Sequence, residues 1–182
     1  LNVSEISVEK TIRRMDMIIR SIILDSIQSV DAENMHESIY HRDFDVNKLY
    51  FLMFRILKGS LNSSRVSESF GITNSEALSN WYLALNLENI ADNGKHIAMI
   101  LKDETVDRQG LKDVYQAIEV MYTNVMKANF NKDKKLANDV AVGRVEIMKK
   151  CDELMVKHRK HQDFNIVWNL KDMVNNICNI SR

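Results

Sequence analysis

Glu88 and Asp92 stand four residues apart in Leu87-Glu88-Asn89-Ile90-Ala91-Asp92, so on a helix both carboxylates point the same way. Like charges at that spacing repel by roughly a few tenths of a kcal/mol. A hard cation between them reverses the sign. Asp43 and Asn47 repeat the spacing elsewhere in the chain. Four oxygen-bearing side chains from two helices would make an octahedral half-cage of the kind Mg, Mn or Fe accepts, with Zn a further candidate. Asn47 supplies a neutral oxygen where a carboxylate would bind harder. His96, one turn past Asp92, is either a nitrogen ligand or a partly exposed helix histidine. The competing reading of the same residues is a solvated acidic face that holds no metal.

Other chemistries find less support. A ferritin-like di-iron centre needs two Glu-x-x-His motifs, and only Glu33-x-x-His36 occurs. His158 and His161 fall in the basic run Lys157-His158-Arg159-Lys160-His161, cations suited to a helix C-terminus. There is no phosphate-binding glycine loop, nucleophile elbow or zinc ribbon, and no nucleophile beside an oriented base, so an enzyme is not expected.

The elements that must position these residues are helices. The chain of 182 residues has no proline and five glycines, which permits long helices and poorly supplies tight-turn β architectures. Helix stripes are read over about 4–28 (Met15, Ile19, Ile22, Ile23), 31–58 (Met35, Ile39, Val46, Leu49, Met53, Ile56) and 74–103 (Leu83, Leu87, Ile90, Gly94, Ile97, Leu101). Three more follow over about 110–129 (Val114, Ile118, Met121, Val125), 132–160 (Leu136, Val140, Ile147, Cys151, Leu154) and 163–180 (Phe164, Val167, Val174, Ile177). Thr73-Asn74-Ser75-Glu76 reads as a capping box opening the third, after a serine-rich loop from Gly59 to Thr73. Arg42 and Asp43 interrupt the stripe of the second helix, and a charge there needs a partner, a cation or water. Folding the second helix back along the third brings Asp43 and Asn47 to face Glu88 and Asp92. Gly94 and Ala91 leave room for a neighbouring helix, and Gly94→Ala is expected to be near neutral or stabilising.

Asn86 to Asn93 echoes Asn169 to Asn176, with Lys171 and Asn175 where Glu88 and Asp92 stand. The expected fold is therefore all-α: six long antiparallel helices as two pseudo-repeated three-helix bundles, residues 1–105 and 106–182.

With 45% hydrophobic residues, 27% charged residues and zero formal net charge, the chain is composed like a soluble protein with little pull on nucleic acid. No apolar run reaches membrane-spanning length, so neither membrane insertion nor direct nucleic-acid contact is expected from this fragment. Cys151 and Cys178 would be displaced by about six residues, ~9 Å along the axis, on antiparallel helices. Two reduced, half-buried thiols in a cytoplasmic protein are the expectation. The chain starts at Leu1, consistent with a piece of a longer protein.

His41-Arg42-Asp43-Phe44-Asp45-Val46-Asn47-Lys48-Leu49-Tyr50-Phe51-Leu52, Arg13-Arg14-Met15 and Leu87-Glu88-Asn89-Ile90-Ala91-Asp92 with Ile97-Ala98 resemble the PhoU family, helical regulators of phosphate uptake, and especially its archaeal branch. The resemblance implies two three-helix bundles related by pseudo-symmetry and metal ions on the acidic motifs. It also implies a phosphate ABC transporter and a sensor histidine kinase as partners, a link to transcription regulation, and a homodimer among the possible assemblies. In archaeal relatives a small DNA-binding domain precedes the bundle, and the start at Leu1 fits its removal. The sequence departs from the pattern at Asn47, where the family has Asp, and at Lys171 and Asn175. A metal-free helical adaptor, used for dimerisation or sensing, is the alternative.

Overall fold

The computed structural model describes residues 7–30, 35–101, 108–157 and 161–182. Glu33 and His158 lie outside them, as does the boundary expected between residues 105 and 106. The elements are α1 (Val8–Ser29), α2 (His36–Asn62), α3 (Ser64–Phe70), α4 (Asn74–Leu101), α5 (Arg108–Asn131), α6 (Lys134–Lys157) and α7 (His161–Ile180). No strand occurs among the described residues, so the fold is all-α as the stripes require. α1, α2 and α4 pack on one another, and so do α5, α6 and α7. α4 meets α7 and α1 meets α5 where the two sets join.

The serine-rich stretch is not the expected loop. α2 runs on to Asn62, Ser63 breaks it with extended backbone, and α3 forms a short seventh helix. The Ser63 carbonyl accepts from the Val66 and Ser67 N–H groups (3.1 and 3.0 Å), which starts the new helix at once. Gly59 lets α3 lie close, since a Cβ there would sit 3.4 Å from Val66 Cγ1. α3 ends where Gly71 turns left-handed (φ 59°) and the Ile72 N–H bonds the Ser67 carbonyl (3.0 Å). The capping box then opens α4: Thr73 N–H donates to Glu76 Oε2 (2.9 Å) and Glu76 N–H to Thr73 Oγ1 (3.2 Å).

The stripes supply the core. Met15, Ile19, Ile22 and Ile23 of α1 are fully buried, with Leu87, Ile90 and Ile97 of α4 and Ile118, Val125 and Val174 of α5 and α7. Phe164 is a correction. It is exposed, because the buried stripe of α7 is centred on Ile166, Leu170, Met173 and Ile177 and Phe164 lies off its side. Cys151 and Cys178 are free thiols and buried, not half-buried, and burial pushes the Cys151 thiol up to about 11. No helix among the described residues is long and apolar enough to cross a membrane.

Gly94 is where α4 meets α1 most tightly. A Cβ built there would lie 2.8 Å from Ile22 Cγ2, a methyl in the fully buried core. The near-neutral Gly94→Ala expected from helix propensity is thereby corrected, because Ile22 is branched at Cβ and has no space to turn into. Overpacking of this kind typically costs about 1–3 kcal/mol, against a gain of about 1 kcal/mol from replacing a helical glycine. Gly94→Ala should therefore lower the midpoint of urea unfolding. In a double-mutant cycle, Gly94→Ala should show a smaller favourable coupling with Ile22→Val, which keeps Cγ2, than with Ile22→Ala.

Candidate functional site

Both charges that interrupt the α2 stripe find partners on other helices. Arg42 forms an ion pair with Asp25 of α1. Asp43, with only 5% of its side chain exposed, pairs with Lys95 of α4. Lys95 Nζ lies 2.9 Å from Asp43 Oδ2 and also donates to Asp92 Oδ1, so one ammonium bridges a carboxylate on each helix. Asn47 is one turn along α2, and its Nδ2 donates to Asp43 Oδ2 (3.2 Å). Glu88 is half-buried beside them and feels the charges of Asp92, Asp43 and Lys95.

Asp43, Asn47 and Asp92 are thus linked in one patch on the antiparallel seam of α2 and α4, with Glu88 next to it. Lys95 is the residue that sequence reasoning missed. Its signal was its place three residues past Asp92, which puts its side chain on the same face as the acids. His96 is half exposed, with Nε2 4.0 Å from Asp92 Oδ2.

The chemistry of the donor set suits a hard cation, but the arrangement does not. Lys95 already holds the Asp43 and Asp92 oxygens that such an ion would take. Asn47 turns its amide N–H₂ to Asp43 and acts as a donor there, not as an oxygen ligand. Among the described residues no group of three or more His, Cys, Asp or Glu side chains is placed to hold a metal ion. With Lys95 in position, the residues do not fit a divalent cation. One buried atom is left over: Asp43 Oδ1 has no hydrogen-bond partner.

The electrostatics follow from this crowding. Burial raises the Glu88 carboxyl above its ordinary value of 4.5, and the charges of Asp92 and Asp43 raise it further, with Lys95 opposing. Burial works to lower the Lys95 ammonium, but its hydrogen bonds to Asp92 and Asp43 outweigh that and hold it above 10.5.

A second polar seam lies between α4 and α7. Asn179 Nδ2 donates to Asn86 Oδ1 (3.2 Å), Asn89 Nδ2 to Asn176 Oδ1 (3.3 Å), and Asn93 Nδ2 to Asp172 Oδ2 (2.8 Å). The three pairs share one antiparallel register. If Asn86 corresponds to Asn169, then Asn89 maps to Asp172 and Asn93 to Asn176, so the second and third contacts exchange as a two-fold repeat requires. At the positions echoing Glu88 and Asp92, Lys171 pairs with Asp152 of α6, while Asn175 accepts from Arg144 Nε and NH2 (3.1 and 2.8 Å).

No family model matches the sequence, and no curated protein matches it. Among solved structures, the phosphate transport system regulatory protein PhoU from Streptococcus pneumoniae is similar to this chain with a TM-score of 0.77. The match covers 96% of this chain and 89% of that one at 15% identity. The chain has a PhoU-like fold.

Glu88 generates a pH prediction. Because its folded-state value is raised, the folded protein binds that proton more tightly than the unfolded chain does. The resulting stability is fully present below the unfolded value near 4.5 and is lost as pH rises through the folded value. Glu88→Gln, which cannot ionise, should therefore melt above wild type near neutrality, with the gap closing as pH falls toward 4.5. A gap independent of pH would contradict the raised carboxyl.

Proposed function

We propose that this chain is a PhoU-type regulator of phosphate uptake and phosphate signalling, working by protein contact and without catalysis. The observation that carries the reading is the likeness in fold to a phosphate transport system regulatory protein over 96% of the chain. The acidic pairs at 43/47 and 88/92, read from sequence as matching that family's motifs, support it by meeting on one seam. In this reading the protein works in the cytoplasm, where it restrains a phosphate ABC transporter and signals to a sensor histidine kinase, and so to transcription. A divalent ion on Asp43, Asn47, Glu88 and Asp92 enters this reading only by displacing Lys95.

A second reading is favoured by a specific observation. Lys95 supplies a counter-charge to Asp43 and Asp92 from within the chain, as a helical adaptor without metal would require. Affinity capture of the tagged protein from its source cell, grown with ample or scarce phosphate, separates the two. The regulator reading expects a subunit of a phosphate ABC transporter or a sensor kinase in the eluate, in amounts that change with phosphate. Capture of neither at either phosphate level would overturn it and leave the adaptor.

A further inference from the structure

The acidic seam of α2 and α4 carries three carboxylates, Asp43, Glu88 and Asp92, in contact with or beside one ammonium, Lys95. Lys95 comes from the same helix as two of those acids and reaches across to the third. Its side chain is 15% exposed, so its pair with the buried Asp43 is made largely out of water and is screened little, while the Asp92 end is 38% exposed. A cation tethered to the fold competes at a high effective concentration with any ion arriving from solution.

The second set of helices repeats the solution with different residues. Where the echo would place the two acids, Lys171 supplies a cation to Asp152 on the neighbouring helix, and Arg144 from that helix donates twice to Asn175. In both units a cation belonging to the chain itself closes the seam between the second and the last long helix.

We infer that Lys95 is the resident cation of the α2–α4 seam, a tethered ammonium that joins the two helices as a bound divalent ion would and excludes one. The folded protein is accordingly indifferent to divalent metal, and a metal site emerges only when the ammonium is removed. Without it, Asp43 and Asp92 lose the ammonium they share, Glu88 loses the one cation that offsets its neighbours, and Asp43 Oδ1 is already without a partner. As placed the three carboxylates do not form a metal site, so they must turn toward one another to take an ion from solution. Hard divalent ions take such oxygens. The inference stands on side-chain geometry alone and does not depend on a role in phosphate signalling.

Lys95→Met tests it, since methionine keeps most of the side chain's length and loses the charge. The probe is Mn²⁺, read by loss of the free-ion EPR signal and by thermal melting with Mn²⁺ or EDTA. Wild type should leave the Mn²⁺ signal and its own melting temperature unchanged. Lys95→Met should melt lower in EDTA, recover in Mn²⁺, and bind Mn²⁺ at least tenfold more tightly than wild type. Adding Asp43→Asn to Lys95→Met should abolish that binding. Should Lys95→Met fail to fold in EDTA, refolding in Mn²⁺ gives the reading: recovery supports the inference, and no recovery overturns it. Wild type binding Mn²⁺ as tightly as the variant would overturn it too, because the ammonium would then exclude nothing.

Discussion

The constraint on which the structure depends is the burial of Asp43 among the apolar residues Ile39, Val46 and Met53 of α2. An isolated carboxylate there would be costly, and removing one member of a buried ion pair typically costs about 3–5 kcal/mol. Lys95 meets that demand from α4, which ties the rotation of α4 about its own axis to α2. The other faces of α4 follow. With Lys95 turned to Asp43, Gly94 is set against Ile22 of α1, and Asn86, Asn89 and Asn93 are presented to α7. A turn of α4 about its axis would break all three relationships together, so one helix defines the geometry of its own set and of the join to the next.

The two kinds of polar seam differ in chemistry. Within each three-helix set the cross-helix contacts carry charge: Arg42 with Asp25, Lys95 with Asp43, Lys171 with Asp152. Between the sets, among the described residues, α4 and α7 meet through amides and one carboxylate, Asp172, which accepts from Asn93 and from Asn176 (2.9 Å), while α1 and α5 meet through Arg20, which donates to Thr123 Oγ1 (2.9 Å). Amide pairs are weak in net energy, yet expensive to leave unmade once buried. A slip of one turn along α7 would part Asn89 from Asn176 and Asn93 from Asp172 at once. The join therefore owes its register to hydrogen bonds and its adhesion to flanking apolar residues such as Leu87, Ile90, Met173 and Ile177.

The PhoU-like architecture is a framework on which different ionic arrangements can sit. In this chain the acidic faces of α2 and α4 are present, and Lys95 supplies a counter-charge to Asp43 and Asp92. The chemistry of the seam is that of an internal ion pair.

By itself the sequence determined the six long helices and most of what they bury, but not the short α3. The three- and four-residue steps of Met15-Ile19-Ile22 and Leu83-Leu87-Ile90-Gly94-Ile97 are local periodicity, and local periodicity survives without knowledge of partners. The capping box at Thr73 and Glu76 was legible for the same reason, since its bonds span three residues. The need of Arg42 and Asp43 for counter-charges was also legible, but not their identity. Asp25 is 17 positions from Arg42 and Lys95 is 52 from Asp43, and no local pattern spans those separations. Only the tertiary structure decided that Lys95 reaches both Asp43 and Asp92. It also decided that Gly94 is tight, because helix propensity describes an isolated helix while the clash belongs to Ile22 of another. Phe164 misled in the same way: its type suits a core, but which side of α7 is covered depends on where α4, α5 and α6 lie.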